Sequence, residues 1–136
     1  MPYQPKHTNI HIQGGRVIDP KSGLDTVADV FIAEGCIAAI GEHPEGFVAE
    51  RTIDASGKVV CPGLVDLSTR LGSLESELEA AVSGGVTAIA CPPDTNPPLD
   101  EPGLVERLVR RSEALGLARV FPIGALTQQL AGEKLS

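Results

Sequence analysis

The chain has 136 residues, with 11 Lys and Arg against 18 Asp and Glu, so its formal net charge is −7. This length fits one domain and excludes a complete (β/α)8 barrel, which needs ~250 residues. The acidic balance and an aromatic content of 3% argue against a nucleic-acid partner, because phosphates are held by clustered Lys and Arg and bases stack on aromatic rings.

The three cysteines, Cys36, Cys61 and Cys91, form no CxxC pair and are odd in number. This pattern predicts buried free thiols in a reducing compartment. The N-terminal residues lack the apolar core of a signal peptide, and no apolar run reaches the ~18 residues of a membrane span. We therefore predict a cytoplasmic protein without membrane segments.

The first half of the chain reads as short strands separated by turns. Gly14-Gly15 predicts a turn, Glu34-Gly35 a hairpin whose glycine takes positive φ, and residues 55–57 a turn between two further strands. The predicted strands are 9–12, 16–18, 29–33, 36–40, 52–54 and 58–60. Together they predict a small antiparallel β unit over residues 1–60 with few residues to close a core of its own.

The second half, residues 61–136, alternates strands and helices. Apolar runs predict buried strands at 63–67, 86–91 and 118–123, and apolar residues at helical spacing predict helices at 74–83 and 101–115. The order β–α–β–α–β predicts a parallel sheet with right-handed crossovers, and its third strand runs almost to the end of the chain. We therefore predict an α/β fold with an unfinished sheet.

The loops that follow these three strands are the candidate site, because chemistry in α/β sheets lies beyond the carboxyl ends of the strands. They span residues 68–72, 92–100 and 124–129 and contain no histidine. Asp66 is read as a base, a ligand or, more commonly, a loop cap. Ser68 is not expected to be a nucleophile, because no histidine is near it in sequence and the Gly-x-Ser-x-Gly motif is absent. The proline-rich loop that contains Asp94 either preorganises a ligand site or only turns the chain.

His7 and His11 are four residues apart, but four residues of strand span ~13 Å. That distance is too long for one metal ion, so we interpret these histidines as terminus and strand surface. Cys61 and Cys91 are interpreted as core thiols.

Several long motifs in this order resemble the amidohydrolase superfamily. The runs Gly15–Pro20, Asp29–Gly41 and Ile53–Asp66 resemble its opening. Within the superfamily, the stretch Ala80–Thr87, the Asp-Thr-Asn-Pro-Pro loop and the stretch from Pro122 to Thr127 resemble dihydroorotase. The resemblance implies a β-sandwich portion at 1–60, then at 61–136 the first three β/α units of an incomplete TIM barrel, and hence the N-terminal portion of a longer protein.

The departures from this pattern concern the catalytic positions. Active members have His-x-His after the Pro-Gly-x-x-Asp motif, whereas Ser68 and Arg70 stand there in this chain. Serine is a poor zinc ligand and a guanidinium has no lone pair to give. The Arg-Glu-Pro-Gly loop of the family is missing between Arg70 and Ala80, and Asp94 replaces the asparagine that binds the substrate carboxylate. We therefore expect no catalytic residues, no metal ligands and loss of the family's zinc.

The resemblance also implies a partner. Relatives without the metal-binding histidines assemble as non-catalytic chains with aspartate carbamoyltransferase in pyrimidine biosynthesis, so we expect that enzyme's catalytic chain as partner in a homo- or hetero-oligomer. One alternative is a zinc-dependent cyclic amidohydrolase, a dihydroorotase or relative, with altered metal ligands. Another is a relic whose pocket, with Asp94 and Arg70, binds a different metabolite.

Overall fold

A computed structural model describes residues 8–136, so His7 lies outside the described residues. The chain divides into two compact units, one ending at Pro62 and the other running from Gly63 to Ser136. Among residues 8–136 no helix has the length and apolarity required to cross a membrane.

The first unit is a five-stranded sheet. Strands β3, β2 and β1 pair antiparallel in that order, and β1 is flanked on its other side by β4 and β5, which both run parallel to it. The strands are β1 Ile10–Asp19, β2 Leu24–Ala33, β3 Cys36–Ile40, β4 Arg51–Asp54 and β5 Val59–Val60. The hairpin prediction at Glu34-Gly35 is confirmed, since both residues have positive φ (51° and 72°) between paired ends of β2 and β3.

Two predictions for the first unit are wrong. The chain does not turn at Gly14-Gly15. Strand β1 continues through both residues, and its register with β2 shifts between Ile12 and Gly15. The segments 52–54 and 58–60 do not pair with each other but lie one after the other along β1. The register shift explains this arrangement, because it divides β1 into two stretches that each accept a separate parallel neighbour.

Gly15 is required by the close approach of the segment 55–60 to β1. A Cβ added to Gly15 would lie 2.5 Å from Cγ2 of Val60 and 3.0 Å from Cβ of Ala55, well inside ordinary contact distance. Glycine at this position therefore reflects the close approach of two segments. In the sequence alone it cannot be distinguished from a glycine that allows a turn.

The second unit has the predicted β–α–β–α–β order, with a parallel three-stranded sheet β6-β7-β8. Its elements are β6 Leu64–Asp66, α1 Leu74–Ser83, β7 Val86–Cys91, α2 Pro102–Leu115 and β8 Arg119–Pro122. Proline at the first position of α2 needs no hydrogen-bond donor, and Gly116 ends that helix in the left-handed conformation (φ 63°). The α/β class is confirmed.

The core of the second unit lies between one face of the sheet and the two helices. Its buried members are Leu74 and Leu78 of α1, Ile89 and Cys91 of β7, and Leu99, Ala118 and Val120. The prediction that β6 is buried is wrong, since Leu64 and Val65 are 56% and 61% exposed. Within residues 8–136 β6 pairs only with β7, so one edge of β6 has no neighbouring strand.

The prediction of buried thiols holds for one cysteine only. Cys91 is fully buried, whereas Cys36 and Cys61 are exposed, and all three are free. Cys36 is the first residue of the terminal strand β3, and Cys61 follows the two-residue strand β5. Positions at the ends of short peripheral strands have too few neighbours to be covered.

Candidate functional site at the carboxyl ends of the parallel strands

Hydrogen bonds from backbone amides hold the three strand-end loops at one edge of the sheet. Thr69 N donates to Ala90 O (3.0 Å), which ties the first loop to β7. Ala125 N donates to Leu99 O (2.7 Å), and Gln129 N donates to Asp100 Oδ2 (2.8 Å), which tie the third loop to the second. The three predicted loops therefore form one contiguous surface.

Asp66 acts as a cap for the first of these loops. Its Oδ1 accepts a hydrogen bond from Ser68 N at 2.9 Å. This bond stabilises the charged carboxylate and lowers the pKa of Asp66 below its ordinary value. A carboxylate with a lowered pKa that already holds a backbone amide is poorly suited to accept a proton, so the geometry favours the structural interpretation of Asp66. Ser68 is exposed.

Arg70 and Asp94 are in direct contact. Arg70 Nε donates to Asp94 Oδ2 at 2.7 Å, across a sequence separation of 24 residues. The two side chains are 73% and 40% exposed. An ion pair at that exposure contributes about 0–1 kcal/mol to stability. Its main consequence is therefore chemical: the cation and the anion neutralise each other, and one carboxylate oxygen of Asp94 is already occupied.

The sequence analysis placed Asp94 and Arg70 together only as part of a possible metabolite pocket and did not predict their ion pair. A usable signal was present in the sequence. Two altered positions at the ends of neighbouring parallel strands carry opposite charges, and such loops meet at one edge of the sheet.

Cys91 ends the central strand β7 directly below this surface. Burial raises the pKa of its thiol, and the Sγ donates to Pro92 O at 3.5 Å. A buried thiol with a raised pKa is a weak nucleophile, because the thiolate is the reactive form. The structure thus supports the assignment of Cys91 to the core.

The histidines that the structure describes lie in the first unit. His11 stacks on Phe31 with ring centroids 4.5 Å apart, and His11 Nε2 lies 2.8 Å from Asp29 Oδ2. His43 packs edge-on against the same phenylalanine. Among residues 8–136 there is no group of three or more His, Cys, Asp or Glu side chains placed to hold a metal ion.

No family model matches the chain. A dihydroorotase-like protein from Pseudomonas aeruginosa is 50% identical over 135 residues, which cover 93% of this chain and 32% of the relative. A dihydroorotase from Geobacter metallireducens is 38% identical over 136 residues, which cover 94% and 32% respectively. The chain therefore spans about a third of the length of the curated relatives it matches.

Among solved structures, L-hydantoinase (dihydropyrimidinase) from Arthrobacter aurescens superimposes with a TM-score of 0.74 at 28% identity. The match covers 88% of this chain and 28% of the hydantoinase chain. The chain is thus a homologue of dihydroorotase-like proteins and dihydroorotases over about a third of their length, and its fold is similar to that of a solved amidohydrolase, L-hydantoinase.

Proposed function

We propose that the full-length protein is a non-catalytic dihydroorotase homologue that serves as an assembly subunit for aspartate carbamoyltransferase in pyrimidine biosynthesis. The observation that carries the first half of this proposal is the contact of Arg70 with Asp94 at 2.7 Å. These residues stand where the resemblance expects a metal-binding histidine and a substrate-binding asparagine. Their pairing gives both altered positions one common explanation.

The donor set at this edge does not fit zinc. Zinc in proteins is held by thiolate sulfur, imidazole nitrogen or carboxylate oxygen. The guanidinium of Arg70 is a permanent cation that only donates hydrogen bonds, and the hydroxyl of Ser68 is a poor neutral ligand. Asp94 offers a carboxylate, but one of its oxygens accepts the hydrogen bond from Arg70. The proposal therefore includes no metal-dependent step.

The substrate side of the site also argues against dihydroorotate. Asp94 brings a negative charge to a position that the family uses for a substrate carboxylate, and such a pair repels by ~1–4 kcal/mol at contact distance. Arg70 pairs with Asp94 and offsets part of this charge. Only residues 71–79 separate Arg70 from Ala80, so the arginine loop that holds the carboxylate in the family has no counterpart in this chain.

We further propose that the second unit is the start of an incomplete TIM barrel and the first unit a portion of a β-sandwich. Apolar side chains of β6, of β8 and of the loops that follow them are exposed and require cover from further polypeptide. Those that are at least 47% exposed are Leu64, Val65, Leu67, Phe121, Ile123 and Leu126. Relatives about three times as long as this chain are consistent with that cover.

The assembly role rests on the resemblance and on the names of relatives. Two relatives at 50% identity are called dihydroorotase-like proteins, whereas the dihydroorotases from Geobacter metallireducens and Pelobacter propionicus are 38% and 39% identical. A retained framework with altered site residues is expected when selection acts on assembly and no longer on turnover.

Two measurements on the full-length protein test the proposal. Metal analysis and a dihydroorotate ring-opening assay should give substoichiometric zinc and no turnover. One tightly bound zinc per chain together with turnover would establish the alternative, a cyclic amidohydrolase with altered ligands. Size-exclusion chromatography with the aspartate carbamoyltransferase catalytic chain should give a joint complex, and the absence of any complex or effect on that enzyme would contradict the assembly role.

A further inference from the structure

A groove of about 280 Å³ lies between the beginning of α1 and one face of α2. Five leucines form its apolar wall, among them Leu74 and Leu99 of the core and Leu104 and Leu108 of α2. All the lining residues belong to the second unit. The wall is therefore an accessible extension of that unit's hydrophobic core.

The polar part of the lining is cationic. Arg107 and Arg111 lie one turn apart on α2 and both line the groove, so they face the same side of the helix. Arg111 donates to Glu75 Oε1 at 3.0 Å, whereas Arg107 makes no ion pair within 4 Å among residues 8–136. Thr95 and Asn96 of the second strand-end loop also line it. An unpaired guanidinium beside a leucine wall is notable in a chain whose net charge is −7.

We propose that this groove binds a small monocarboxylate with an apolar body. The carboxylate accepts charge-assisted hydrogen bonds from Arg107, with Arg111 as a second cation, and the apolar body contacts the leucines. Inorganic phosphate would leave the leucine wall unused, and a second carboxylate would have to be desolvated against that wall. The groove volume of about 280 Å³ accommodates a ligand of the size of benzoate.

The location links this ligand to the Arg70–Asp94 pair. Leu71 and Gly72, which directly follow Arg70, line the groove, as do Thr95 and Asn96, which directly follow Asp94. In each of the two strand-end loops, the residue that forms the ion pair is followed directly by residues that line the groove. The inference does not depend on the proposed function, because the resemblance gives no catalytic, metal-binding or substrate-binding role to any residue that lines the groove.

The test uses the full-length protein and two matched probes, benzoate and its neutral isostere benzamide, in titrations followed by amide chemical shifts. Benzoate should bind saturably with a dissociation constant below ~10 mM and shift the backbone amides of Thr95, Asn96 and Leu99. Benzamide should bind at least about fivefold more weakly. Arg107→Gln should weaken benzoate binding tenfold or more, as expected for loss of a hydrogen bond to a charged group.

Arg110→Gln is the matched control. Arg110 is on the same helix but lies outside the groove and pairs with Glu106 at 2.6 Å, so its removal should leave benzoate binding unchanged. Both arginines are exposed, and equal melting temperatures of the variants would verify that the fold is retained. Equal affinities of the two variants, equal affinities of the two probes, or no saturable binding of benzoate would each overturn the proposal.

Discussion

Replacing Gly63 by alanine should destabilise the second unit by about 2 kcal/mol. Gly63 belongs to the Pro-Gly-Leu-Val-Asp segment that precedes the first strand-end loop. A Cβ at this position would lie 2.0 Å from Oγ1, 2.4 Å from Cγ2 and 2.7 Å from Cβ of Thr87 on β7. Carbon atoms in contact are normally ~3.5–4.0 Å apart, so the overlap reaches roughly 1 Å.

Side-chain rotation cannot relieve this overlap. A change in χ1 moves the Oγ1 and Cγ2 atoms of Thr87 but not its Cβ, so β6 and β7 would have to separate or shift. Overpacking of this kind costs about 1–3 kcal/mol. With an m-value of ~2 kcal/mol per molar urea, a loss of 2 kcal/mol lowers the unfolding midpoint by about 1 M.

Two comparisons make this result specific. Gly103→Ala on α2 is the control, because a Cβ there meets no heavy atom within 4 Å, and it should be neutral or stabilising by up to ~1 kcal/mol. Thr87→Gly weakens β7 by itself, but in that background Gly63→Ala should cost much less than in the parent, which is the rescue to be measured, with protection of the β7 amides from hydrogen exchange as the local readout. The reasoning is refuted if Gly63→Ala behaves like the control, or if Thr87→Gly gives no rescue.

Three further predictions concern the site and the titrating groups. Ser68→His with Arg70→His should not restore dihydroorotate turnover, because the change frees the Asp94 carboxylate to repel the substrate; measurable turnover would show that the carboxylate clamp matters less than argued. Hydrogen bonds from the Gly14 amide and the His11 imidazole lower the pKa of Asp29 in the folded state. The Asp29 carboxylate therefore stabilises the fold fully above its unfolded pKa of ~3.9, and this contribution is lost as the pH falls through the lower pKa of the folded state. Asp29→Asn should therefore lower the urea midpoint at pH 7 and reduce its decline below about pH 4, and parallel pH profiles for mutant and parent would contradict this. Iodoacetamide at pH 8 should alkylate the exposed Cys36 and Cys61 of the native protein and leave the buried Cys91 unmodified, as measured by peptide mass mapping. Comparable labelling of all three cysteines would contradict the burial of Cys91.

Much of the fold could be predicted from the sequence because the relevant signals are local. Helix α1 begins at Leu74 and ends at Ser83, as predicted, since the apolar spacing and the glycines after it act within a few residues. Helix α2 begins one residue later than predicted, because Pro102 fits the first helical position. The hairpin at Glu34-Gly35 is equally local, because positive φ at both residues is a property of the turn itself.

What the sequence could not decide is which separated segments meet. The parallel pairing of β4 and β5 with β1 depends on long-range register. The close approach that requires glycine at position 15 becomes evident only when Val60 is placed beside it. Exposure of β6 likewise follows from which strands flank it. The charges of Arg70 and Asp94 could be read directly from the sequence, but their mutual neutralisation could not. A local sequence pattern reflects the conformational preference of a few consecutive residues. Contacts between residues far apart in sequence, such as Arg70 and Asp94, depend on how the elements pack, which only the tertiary structure determines.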